Sequence, residues 1–90
     1  MLVKFFATYR QIVGGKSVDL AAPADVLSLL KELSDRWPAF RELILNAEAT
    51  DVGPDVIIMV NGRHITHLDG VQTALSESDY VAITPLVAGG

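Results

Sequence analysis

One stretch of this chain keeps a helical period, and the segments around it do not. From Asp25 onward, apolar residues recur at three- and four-residue steps as Val26, Leu29, Leu30, Leu33 and Trp37, the stripe of an amphipathic helix with one face to bury. Asp25 favours the start of that helix through the helix dipole. Pro38 disfavours helical geometry in the residue before it, so the helix should end near Arg36. A lone helix cannot cover its own stripe and needs an apolar face built from other elements. The segments on either side supply that face, because they read as strands. The expected class is α+β, a mixed and mostly antiparallel sheet packed on one main helix. Ninety residues correspond to one domain, spanning 1–90.

Leu2 to Thr8 alternates around Lys4, placing Val3, Phe5 and Ala7 toward the core and Leu2 and Phe6 on the other face. Gly14-Gly15 reads as a turn, and Lys16 to Leu20 alternates again with Val18 and Leu20 inward, so the opening predicts a β-hairpin. After the main helix, Phe40, Leu43 and Ile44 suggest a short second helical piece, and Asn46 to Asp55 reads as an exposed loop. Val56 to Val60 is the strongest strand signal. Asn61-Gly62 is a hairpin-turn pair. Arg63 to Thr66 reads as a short return strand, Leu68 to Leu75 as loop or one helical turn, and Ser76 to Asp79 as a polar turn. Tyr80 to Thr84 is a last strand with Val81 and Ile83 on one face, and pairing should fade from Pro85, which has no N–H to donate.

Several chemistries fall away on composition. The chain has no cysteine, so a disulfide scaffold, a thiolate metal site and thiol catalysis are excluded. His64 and His67 lie three apart in a strand and its turn, which should point them to opposite faces, and no third ligand accompanies them. No metal site and no bound cofactor are expected. Asp69 and Asp79 suit turn and loop roles. The net charge is −4 and the seven basic residues are scattered, unlike the clustered footprint of a nucleic-acid binder. No apolar run approaches the roughly 20 residues that span a membrane. Met1 to Phe6 lacks the features of a secretory leader, so a cytoplasmic location is expected.

The final strand runs into Pro85-Leu86-Val87-Ala88-Gly89-Gly90, which predicts a flexible stalk ending in a carboxylate. Glycine has no Cβ and lets foreign backbone approach closely. Fully extended, Leu86 to Gly90 reaches about 17 Å. If Val56, Ile58 and Val60 face the helix, Ile57 and Met59 face outward, and with Phe6 and Ala82 they would make an apolar patch continued by Leu86. Exposed apolar patches on small domains commonly mark interfaces.

Val3-Lys4-Phe5-Phe6-Ala7 with Arg10 and Gly14, the helix Val26 to Leu33, Val60-Asn61-Gly62, Leu75 to Asp79 before Val81, and Thr84 through Gly90 together resemble the MoaD/ThiS family of sulfur carriers, the small subunit of molybdopterin synthase in particular. The resemblance covers the whole chain and implies a β-grasp, ubiquitin-like fold. It implies a carrier that is not itself an enzyme, with the Gly90 carboxylate as its reacting group. An adenylyltransferase resembling ubiquitin-activating enzymes would use ATP to adenylate Gly90 and convert it to a thiocarboxylate. The large catalytic subunit of molybdopterin synthase would then receive the sulfur. Pro85, Leu86, Val87, Ala88 and Gly89 would thread into the partners' active sites, while Phe6, Ile57, Met59 and Ala82 dock the globule. Two positions depart from the family pattern: Ser78 stands where glycine is frequent, and Leu86 where a second proline is. Other readings of the same tail are sulfur delivery for thiamin thiazole, a tungsten cofactor or tRNA thiolation, and a ubiquitin-like modifier of protein lysines. A plain β-grasp interaction module is a further one.

Overall fold

The computed structural model describes residues 1–86. Among the described residues five strands form one sheet: β1 (Leu2–Phe5), β2 (Ser17–Asp19), β3 (Val56–Val60), β4 (Arg63–His64) and β5 (Tyr80–Pro85), in the spatial order β2-β1-β5-β3-β4. The terminal strands β1 and β5 pair in parallel at the centre and the other pairings are antiparallel. The main helix α2 (Val26–Arg36) lies on one face of this sheet, giving the expected mixed β-grasp architecture. Two shorter helices are α1 (Tyr9–Val13) and α3 (Arg41–Ile44), the latter entered by a 3-10 turn over Pro38–Phe40.

The stripe of α2 does what its period requires. Val26, Leu29, Leu30 and Leu33 are fully buried against Val3, Phe5, Val81 and Ile83 from the two central strands. Phe40 extends this core toward one end. Its ring stacks on Phe5 at 5.6 Å and meets Tyr9 edge-on at 5.3 Å, with Trp37 edge-on to both phenylalanines. Aromatic pairs at such separations add roughly 0.5–1.5 kcal/mol each beyond the area they bury.

Asp25 caps α2 directly: its side chain accepts a hydrogen bond from the Ser28 N–H at 2.9 Å. Asp25→Ala should lower stability by about 1 kcal/mol in urea denaturation. That bond also holds the Asp25 carboxyl below its ordinary pKa. Asp79 is lowered likewise, first by the Asn61 amide and then by the Ser76 N–H. A carboxyl depressed in the folded state stabilises it above the unfolded pKa of about 3.9 and loses that contribution as pH falls through the folded value. The urea midpoint should therefore drop from about pH 4 downward, and less steeply in an Asp25→Ala/Asp79→Ala variant.

The strand ends differ from the sequence reading in four places. First, β1 stops at Phe5, and Ala7 is exposed with φ at 53°, so it turns out of the sheet and does not face the core. Second, Gly14 caps a helix: at φ 73° its N–H donates to the Arg10 carbonyl, so α1 interrupts the predicted hairpin although β1 and β2 still pair antiparallel. Third, the return strand lasts only Arg63–His64, after which Ile65–His67 winds into a 3-10 turn and buries Ile65. Fourth, pairing does not fade at Pro85, since Pro85 sits opposite Val56 and the Leu86 N–H donates to the Asp55 carbonyl at 2.7 Å. Asn61 at φ 53° and Gly62 at φ 83° make the expected tight turn. The Asn61 side chain accepts from the Tyr80 N–H and donates to Asp79, tying this turn to the start of β5. Ser78 avoids positive φ, so the absence of glycine there carries no strain.

The loop from Asn46 to Asp55 is only partly exposed. Leu45 bridges Val52, the Asn46 side chain accepts from the Thr50 and Asp51 N–H groups, and Gly53 is buried with its N–H on the Ile44 carbonyl. A Cβ at Gly53 would lie 2.6 Å from the Leu43 carbonyl oxygen, a backbone atom that cannot swing aside. Gly53→Ala should destabilise by about 1–3 kcal/mol in urea titration, the usual cost of forcing extra volume into a packed contact.

Candidate functional site

Because β3 alternates with period two, burying Val56, Ile58 and Val60 turns Ile57 and Met59 to the opposite face. The register then aligns them with neighbours across the sheet. Lys4, Ala82, Met59 and His64 form one row, and Ile57 lies opposite Thr84. The Phe6 N–H donates to the Ile83 carbonyl, extending β1 alongside β5 by one residue. Phe6, Ile57 and Ala82 are half-buried, Met59 is 36% exposed, and Leu2 and Leu86 are 39% and 53% exposed. The face opposite α2 therefore carries a shallow apolar patch, with β5 running through it.

Two cations explain how Phe6 is tolerated on this face. The Lys4 ammonium and the Arg10 guanidinium lie 5.9 Å and 5.5 Å from its ring centroid. Arg10 is held there by a hydrogen bond from its Nε to the Phe5 carbonyl at 3.0 Å. Each such contact contributes about 0.5–1 kcal/mol at an exposed site. Sequence reading missed this pairing because the five residues of α1 are too few to show a helical period. The four-residue spacing of Phe6 and Arg10 was the available sign.

β5 carries the patch toward the tail. Pro85 and Leu86 are its last described residues, and Val87, Ala88, Gly89 and Gly90 lie outside the described residues. The base of the tail is flanked by α1, α3 and the Pro54-Asp55 turn, which enclose a groove of about 270 Å³.

His64 and His67 correct an expectation. Their rings meet edge-on with centroids 6.4 Å apart, because the chain leaves β4 at His64 and coils into the 3-10 turn. His64 Nδ1 accepts from the Thr66 N–H. Among the described residues no three His, Asp or Glu side chains gather in a way that could hold a metal ion. No helix of the described residues is long and apolar enough to cross a membrane.

Comparisons with known proteins fit this architecture. The ThiS family pattern matches residues 3–90. Small archaeal modifier protein 3 of Haloferax volcanii is 42% identical, the alignment covering 98% of this chain and 96% of that protein. The solution structure of small archaeal modifier protein 1 from Methanosarcina acetivorans superposes with a TM-score of 0.85 at 32% identity, over 99% of this chain and 94% of the other. A putative molybdopterin converting factor, subunit 1, from Pyrococcus furiosus superposes with a TM-score of 0.76 at 30% identity, over 96% and 95% of the two chains. Identity and coverage at this level settle the relationship: the chain belongs to the ThiS family of small β-grasp sulfur carriers and modifiers, which are not themselves enzymes and bind no cofactor.

Proposed function

We propose that the Gly90 carboxylate is the reacting group and that its principal outcome is attachment to other proteins, with sulfur carriage as the companion use of the same activated end. A carboxylate is a poor acyl donor. An ATP-dependent adenylyltransferase of the ubiquitin-activating type would let a Gly90 oxygen attack the α-phosphorus, releasing pyrophosphate and leaving an acyl adenylate. A lysine amine, directly or through an enzyme thiol, then displaces AMP to give an isopeptide. A sulfide-level nucleophile displacing AMP instead gives a thiocarboxylate. Pro85 to Gly89 are the segment that enters the partner, and Phe6, Ile57, Met59 and Ala82 are the surface that meets it.

The observation that carries this reading is the 42% identity, across nearly the full length of both chains, to a small archaeal modifier protein. It moves the emphasis away from molybdopterin, the acceptor that the sequence resemblance first suggested. Sulfur delivery to the large catalytic subunit of a molybdopterin synthase stands as the second reading, favoured by the Pyrococcus furiosus likeness. The two separate in cells of the host. Immunoblots with antibody to the native protein should reveal a ladder of higher-mass conjugates that vanishes on deletion of the activating enzyme. A single band at the mass of the free chain, together with loss of molybdoenzyme activity on deletion of this chain, would replace the first reading by the second.

A further inference from the structure

The groove at the base of the tail has a composition that selects an occupant. Leu43, Pro85 and Leu86 give it apolar walls, and Glu42 and Asp55 supply two carboxylates. No basic residue is among its described lining residues, and neither carboxylate is ion-paired among the described residues. Tyr9 is only 3% exposed, packed edge-on against Phe40, yet it reaches this groove. Its hydroxyl bonds to no other described residue and is left in contact with solvent. Burial, and secondarily the charge of Asp55, push its pKa up, so it remains a neutral phenol at physiological pH.

The Tyr9 side chain is packed into the core up to its hydroxyl, which stays open to solvent where Tyr9 lines the two-carboxylate groove. The complementary object has a long apolar stem and a flat cationic head with several donors. That describes arginine, whose guanidinium offers five N–H groups in a fixed fork. The chain's own carboxylate would be repelled by Glu42 and Asp55. Whatever grips the tail must lie against its base, so the cation has to come from the enzyme that admits the tail. We propose that this groove receives an arginine side chain of the activating enzyme, its guanidinium bridging Glu42 and Asp55 and donating to the Tyr9 oxygen. This rests on the reading that Gly90 is adenylated by such an enzyme.

The test is carrier-dependent ATP–pyrophosphate exchange by the host's ubiquitin-activating-like adenylyltransferase, using the full chain. In Glu42→Gln/Asp55→Asn, the KM for the carrier should rise roughly tenfold or more, with kcat unchanged, as expected for losing a desolvated charge contact. Raising salt should weaken the wild type toward the variant. Tyr9→Phe, which keeps the ring packing, should raise KM alone by a smaller factor. An unchanged KM in both variants, or a loss confined to kcat, overturns the groove assignment. In that case a chain extended beyond Gly90 would still be inert, and the tail reading would survive. Absence of exchange with the wild-type chain would overturn both.

Discussion

A chain carrying one extra residue after Gly90 is expected to support no detectable ATP–pyrophosphate exchange, while melting at the same temperature as the wild type. The reason is chemical as well as steric. The extension converts the Gly90 carboxylate, the proposed reacting group, into an amide and presents a new carboxylate one residue further out. β5 closes at Pro85 and its last described contact is the Leu86 N–H on Asp55, so an addition beyond Gly90 leaves the core untouched. Gly90→Ala keeps the carboxylate but adds a Cβ where the proposed mechanism brings a partner's backbone close. The exchange rate should fall on the order of a hundredfold, the scale on which small misplacements of a reacting group act. Normal exchange from either chain would remove Gly90 from the mechanism.

Met59→Asp is the second large effect. Met59 sits on the outer face between Ala82 and His64 in the cross-sheet row, one-third exposed, with its neighbours Val60 and Ile58 turned into the core. A carboxylate there stays hydrated in the free chain, so stability should change by only about 0.5 kcal/mol, as at other surface positions. In a complex that covers the patch, it must be desolvated without a partner. Affinity for the activating enzyme should fall on the order of a hundredfold, measurable by titration calorimetry. Ile58→Asp is the contrasting control: at 1% exposure the same carboxylate enters the core, and the chain should fail to fold. Undiminished binding by Met59→Asp would move the docking surface elsewhere.

Legibility in the sequence followed the length of each pattern. The eleven residues of α2 span three turns, enough for the stripe from Val26 to Leu33 to show its period, and Asp25 and Pro38 mark its ends. All five residues of β3 are apolar, so period two separates Ile57 and Met59 from Val56, Ile58 and Val60 in the sequence, and the structure shows that the second set is the buried one. Shorter pieces were misread. α1 is barely one turn, so Gly14 was read as a hairpin turn when it is a helix cap. The Ile65–His67 turn looked like a strand because Ile65 and Thr66 are β-branched, and the two histidines were separated in consequence. The groove at the tail base was invisible for another reason. Tyr9, Glu42, Asp55 and Leu86 are far apart in the chain and meet only because Gly53 lets its loop press onto α3 and the parallel pairing of β1 with β5 brings the two ends of the chain together. The resemblance to sulfur carriers located the family, and the relative that is 42% identical is a small archaeal modifier protein.

The most direct test of the central claim is peptide-level mass spectrometry of the protein taken from its own host. The C-terminal peptide ending at Gly90 should be found in part joined by an isopeptide bond to lysines of other proteins, or bearing sulfur in place of one carboxylate oxygen. Both forms should disappear when the activating enzyme is deleted. A C-terminal peptide found only as the free acid, with and without that enzyme, would contradict it.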